Sequence, residues 1–96
     1  MATTERHTAS EVVVTGDVQG VGFRYSARSI AASLQLVGWV RNTPSGTVEA
    51  RVQGPADAVA ELVAWLGSGP RGARVQGTTV TAVAVDPSLT SFEILA

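Results

Sequence analysis

The chain opens on a polar stretch, residues 1–10 (MATTERHTAS), which holds no apolar run. That pattern predicts a flexible N-terminal tail and no signal peptide. The domain proper is expected over residues 11–96. Residues 11–15 (EVVVT) are short and β-branched, which predicts a strand. Residues 16–22 (GDVQGVG) carry three glycines and predict a loop. Phe23, Ala27, Ile30, Ala31 and Leu34 then recur at helical spacing and define one apolar face of a helix over 23–34. Residues 37–42 (VGWVRN) predict a second strand, and Thr43-Pro44-Ser45-Gly46 a turn. Residues 47–53 (TVEARVQ) alternate: Val48, Ala50 and Val52 are expected inward, and Thr47, Glu49, Arg51 and Gln53 outward. Strands two and three therefore form a hairpin. Pro55 opens a second helix whose apolar face is Val59, Leu62, Val63 and Leu66, with Gly67 as its C-terminal cap. Residues 75–85 predict a fourth strand whose irregular alternation suits a bulge. Residues 91–95 (SFEIL) predict a short fifth strand at an edge.

The order β-α-β-β-α-β is the split βαβ arrangement, a ferredoxin-like α+β fold with an antiparallel sheet and two helices on one face. In that topology strand three lies between strands one and two and runs antiparallel to both. The C-terminal ends of strands one and two then share one sheet edge. The 16–22 loop and Asn42 come to that edge about 10 Å apart, two strand spacings.

Composition narrows the chemistry. Ninety-six residues make a single domain. There is no cysteine, so disulfides, thiolate metal sites and cysteine nucleophiles are excluded. All seven basic residues are arginine, which excludes a phosphate-loop lysine and Schiff-base chemistry. The one histidine, His7, sits in the polar N-terminal stretch, which argues against a histidine-based metal site or a Ser-His-Asp triad. Net charge is −1, against a nucleic-acid-binding surface. No window reaches the roughly 18 apolar residues of a membrane span. The expectation is a cytoplasmic monomer with no cofactor, no metal, no nucleic-acid partner and no membrane partner.

The junction GDVQGVGFR carries the most information. Closely spaced glycines let successive backbone N–H groups turn into one anion-binding concavity. The helix that follows adds its own unpaired N–H groups and positive dipole end. Arg24 stands in its first turn and Arg28 one turn later, and residues 23–36 contain no acid. Helix starts favour Asp and Glu, so this placement runs against helix stability. The second helix carries Asp57 and Glu61 in its first turns, as expected. A cation at a positive helix end makes sense where both share an anion. The plainer alternative is a Gly-rich turn beside a solvated arginine. Asn42, at a strand end before a turn, reads either as turn chemistry or as a partner of the anion loop across the shared edge. Trp39 and Trp65 read as packing, and Arg71 and Arg74 as solvated.

Residues 16–24 (GDVQGVGFR) resemble the first signature of the acylphosphatases. Residues 38–49 (GWVRNTPSGTVE) resemble the second. The loop from Gly69-Pro70 to Val75, and Phe92 and Ile94, are also similar to that family, so the resemblance spans about residues 11–95. It implies the ferredoxin-like fold and hydrolysis of carboxylic–phosphoric mixed anhydrides without metal or cofactor. It places the phosphate-binding arginine at Arg24 and the water-orienting asparagine at Asn42. It places the phosphate cradle at Asp17, Val18, Gln19, Gly20, Val21, Gly22 and Phe23, running into Arg24. The substrate it implies is a small-molecule acyl phosphate, with inorganic phosphate as product and inhibitor. Two positions depart from the family pattern. Asp17 stands where many relatives carry a basic or neutral residue, which weakens phosphate affinity at low salt. Gln35 stands where a glycine usually ends the first helix.

The residue inventory agrees with this reaction class. An acyl phosphate leaves as a carboxylate and needs no proton near neutral pH. Charge stabilisation of the phosphoryl oxygens and a positioned water then suffice. An inactive phosphate-binding module of the same fold is the alternative, and retention of both Arg24 and Asn42 argues against it. An RNA-binding domain of this fold stacks bases on aromatics of its central strands, and TVEARVQ has none.

Overall fold

A computed structural model describes residues 6–96. The elements run β1 (His7–Asp17), α1 (Phe23–Ser33), β2 (Val37–Asn42), β3 (Val48–Pro55), α2 (Ala56–Leu66), β4 (Arg74–Val83) and β5 (Phe92–Ile94). The sheet order is β4-β1-β3-β2-β5. β3 is central and antiparallel to both β1 and β2, so β1 and β2 end at the same edge. This is the ferredoxin-like α+β arrangement that the sequence predicts.

The sheet's inner face and the two helices close one core. Val12 and Val14 of β1, Val40 of β2, and Val48, Ala50 and Val52 of β3 are buried. They meet Phe23, Ala27 and Ala31 of α1 and Val59, Leu62 and Leu66 of α2. Each fully buried branched or aromatic side chain contributes roughly 1.5–3 kcal/mol relative to exposure, so this shared layer dominates the fold's stability. The opposite sheet face is wet. It is laced by Arg41–Glu49 and Arg51–Glu11 ion pairs, at 2.6 and 3.3 Å.

Four expectations need correction. The tail expected over residues 1–10 does not include His7 to Ser10, which belong to β1 and pair with Pro55 through Val52 of β3. Residues 1–5 lie outside the described residues. β1 also runs two residues further than expected, through Gly16 and Asp17, after a register slip between Thr15 and Gly16. There Thr15 pairs Gly77 and Gly16 pairs Val75, so Gln76 is the extra residue of the bulge. The sheet is mixed rather than antiparallel, since β5 pairs with β2 in parallel. Gln53, expected outward, is 5% exposed. The chain leaving β4 crosses over it: Gln53 Nε2 donates to the Asp86 carbonyl, and the Asp86 amide donates to Gln53 Oε1. A buried carboxamide with both ends paired costs little, which is how a polar residue is tolerated there. The Ser88 hydroxyl and amide both donate to the Asp86 carboxylate and hold its pKa below the usual value.

Helix α1 ends in a left-handed residue. Gln35 has φ 56°, the Leu36 amide donates to Ala31 O, and the Gln35 amide donates to Ala32 O. This bond pair satisfies two carbonyls of the last turn and directs the chain into β2. The side chain at that φ is strained, because Cβ crowds the following carbonyl.

Candidate active site

The segment between β1 and α1 is built for backbone exposure. Gly20 and Gly22 have φ 76° and 77°, and a Cβ on either would meet nothing within 4 Å. Their role is conformational, not steric: glycine takes these two left-handed positions, one on each side of Val21, without strain. Gly22 is the N-cap of α1, with no side-chain capping bond and no acid in the first turn. The first helical bond runs from Ser26 N to Gly22 O. The amides of Phe23, Arg24 and Tyr25 therefore precede the helical ladder and remain available. They add to the positive end of the helix dipole, and the Arg24 guanidinium adds a full charge beside them.

Packing fixes where this cradle sits. Phe23 is 2% exposed and its ring lies 5.3 Å from that of Trp65, tilted by 59°. Phe23 thus pins the first turn of α1 against α2, and Trp65 is packing, as its sequence context suggests. Val18 is 1% exposed and anchors the start of the loop in the core. Gln19 ties the loop to the neighbouring turn: its Nε2 donates to Thr43 O and Thr47 O, both at 2.9 Å. That turn is itself tied by the Thr43 hydroxyl, 2.7 Å from Thr47 Oγ1 and 2.9 Å from Ser45 Oγ.

A cavity of about 140 Å³ opens at this edge, lined by Val18, Gly20, Gly22, Phe23, Arg24, Tyr25 and Asn42. Arg24 and Asn42, 18 residues apart in sequence, are brought to one space by the sheet order. Arg24 is half-buried and has no carboxylate partner among the described residues, unlike Arg41 and Arg51. No hydrogen bond engages the Asn42 carboxamide among the described residues. Asp17, Gln19 and Val21 do not line this cavity. Asp17 is exposed at the end of β1. Gln19 serves as the clamp just described, and Val21 packs against the core. A larger cavity of about 320 Å³ shares only Asn42 with this one and is lined otherwise by Arg41, Thr43, Pro44, Glu49 and Ala96. Arg71 and Arg74 are exposed. Among the described residues no three His, Cys, Asp or Glu side chains gather as a metal site, and no helix is long and apolar enough to cross a membrane.

Two residues carry more than sequence reasoning assigned them. The Gln19 clamp depends on acceptors 24 and 28 positions away, and no local pattern signals it. Tyr25 lines the cavity and is 71% exposed. Its signal was available: an aromatic in the exposed register of a helix beside the cradle.

The class defined by this geometry is a ferredoxin-like domain with a glycine-rich loop and a helix start at one cavity, which one arginine and one asparagine line. The comparisons give that class its family. The acylphosphatase family model matches residues 10–94, and the chain belongs to the acylphosphatase family. It is 47% identical over 90 residues to an acylphosphatase of Nocardioides sp., covering 94% of this chain and 90% of that one. It is 48% identical over 85 residues to the acylphosphatase of Anaeromyxobacter dehalogenans, covering 88% and 91%. Its fold superposes on the structure of an acylphosphatase from Coxiella burnetii with a TM-score of 0.89 at 36% identity, over 98% of this chain and all of that one.

Proposed function

We propose that this chain hydrolyses the carboxyl–phosphate anhydride of acyl phosphates, releasing a carboxylate and inorganic phosphate. The observation that carries the reading is the single cavity shared by Arg24, the Gly20 and Gly22 backbone and Asn42. The loop amides and the Arg24 guanidinium bind the phosphoryl oxygens, where charge spreads in a loose transition state. Asn42 orients the attacking water. The water oxygen bonds to phosphorus as the bridging P–O bond breaks, and that electron pair leaves on the carboxylate. The water's proton passes to a phosphoryl oxygen of the substrate, so an acyl phosphate dianion and water become a carboxylate and dihydrogen phosphate. The balance needs no external acid, which suits a cavity whose only ionisable lining groups are Arg24 and Tyr25. The enzyme works as a monomer on a small-molecule acyl phosphate in the cytoplasm, with inorganic phosphate as product and inhibitor.

The test compares benzoyl phosphate with p-nitrophenyl phosphate in the presence of a chelator. The expected result is sustained hydrolysis of benzoyl phosphate and little action on the ester, whose leaving group is a poorer anion. Equal rates on both, or complete loss of activity on chelation, would contradict the proposal.

A further inference from the structure

We infer that Tyr25 is the acyl-group platform of this site and biases the enzyme toward acyl phosphates with planar or extended apolar acyl groups. The inference rests on the acyl phosphate reading above and concerns which acyl phosphates are preferred. Tyr25 is the most exposed large hydrophobic side chain among the described residues, at 71%. The two neighbouring aromatics, Phe23 and Trp65, are packed together. No hydrogen bond engages the Tyr25 hydroxyl among the described residues, so the fold makes little use of this side chain. Yet Tyr25 lines the same cavity as Gly20, Arg24 and Asn42.

Helix geometry and reaction geometry both support the assignment. Side chains in a first helical turn lean back toward the helix N-terminus, which tilts the Tyr25 ring toward the cradle. In phosphoryl transfer the attacking and leaving oxygens lie roughly in line through phosphorus. Asn42 lines the cavity from the end of β2, so a water that it orients attacks from the strand side. The leaving carboxylate then departs from the opposite side, toward the wall that α1 provides, and Tyr25 is the apolar surface of that wall. The same rule removes the competing location. The larger cavity beside Arg41, Thr43 and Pro44 shares only Asn42 with this one, so on this rule it lies with the water and not with the leaving acyl group.

The test measures kcat/KM for benzoyl phosphate and acetyl phosphate in wild type, Tyr25→Ala, Tyr25→Phe and Pro44→Ala, with inhibition by inorganic phosphate in each. Tyr25→Ala should lower the benzoyl-to-acetyl ratio roughly five- to tenfold, the scale of one aromatic contact, mostly through KM. Phosphate inhibition should stay within twofold, because no acyl group is involved. Tyr25→Phe should restore the ratio, and Pro44→Ala should leave it unchanged. A ratio unmoved by Tyr25→Ala, or moved by Pro44→Ala instead, would overturn the assignment while leaving the hydrolase reading intact. Wild-type protein that hydrolyses neither substrate would sink the hydrolase reading itself.

Discussion

The two helices of this domain are the same length, 11 residues each, and they pack on the same sheet, yet they begin in opposite ways. α2 starts from Pro55, extended at φ −56° and ψ 138°, with Asp57 in its first turn. That is the ordinary solution: a carboxylate offsets the positive end of the dipole. α1 starts from a left-handed glycine, has no acid in its first turn and carries Arg24 there. Neither start has a side-chain capping bond. The difference therefore lies in charge and in the shape of the approaching chain. α2 carries its own counter-charge, whereas α1 is left needing one from outside. A helix start that forgoes a few tenths of a kcal/mol of stability, beside a cavity, has the electrostatics that the proposed phosphate site requires.

The largest effects should come from the two polar side chains that line that cavity, and they should differ in kind. Asn42→Ala should cut turnover by roughly 10²–10³, the usual cost of one positioned polar group, with phosphate inhibition and folding close to wild type. Arg24→Ala should remove a charge-assisted contact of roughly 1.5–3 kcal/mol, weakening phosphate inhibition by about 10- to 150-fold as well as turnover. Arg24→Lys should recover part of this, because a point charge replaces a planar fork. If Asn42→Ala weakened phosphate binding and Arg24→Ala did not, the roles would be reversed.

A smaller effect tests the contrast between the helices. Asp57→Asn should lower stability by roughly 0.3–1 kcal/mol through the α2 dipole. Phosphate binds the native state and should raise the unfolding midpoint of wild type and Asp57→Asn by the same increment. A larger increment in Asp57→Asn would mean that phosphate also settles at α2, and the two starts would not be distinct.

The smallest effect concerns the other end of α1. Gln35 at φ 56° carries roughly 1 kcal/mol of left-handed strain, which glycine relieves at some cost in unfolded-state entropy. Gln35→Gly should stabilise by about 0.5 kcal/mol in a denaturant titration, with unchanged hydrolysis. A lower midpoint would show that the glutamine side chain offsets its own strain.

Local pattern made much of this molecule readable. Residues 37–42 predict β2 at its observed bounds. The apolar registers of both helices are the ones buried, with Ile30, Leu34 and Val63 only partly covered. Strand order followed from connectivity, and strand order alone brought Arg24 and Asn42 to one edge. What escaped depended on distant partners. The start of β1 reads as polar because only Ala9 of His7–Ser10 is buried there. Gln53 alternates outward in its own strand, and it is buried only because a segment 33 residues later crosses it. The Gln19 clamp and the parallel pairing of β5 are likewise long-range contacts without a local signature. In the loop the glycines and the arginine were legible, whereas the residues that turn from the cavity were not: Asp17 continues β1, Gln19 clamps the neighbouring turn and Val21 packs on the core.

The most direct measurement of the central claim is a titration of the ¹⁵N-labelled protein with inorganic phosphate, followed amide by amide. The account predicts saturable shifts concentrated at residues 18–25 and at the Asn42 side chain. The amides of Ala56, Asp57 and Ala58 should stay still, and Arg24→Ala should weaken the whole response. Equal shifts at both helix starts, or a silent 18–25 segment at phosphate concentrations that inhibit hydrolysis, would contradict it.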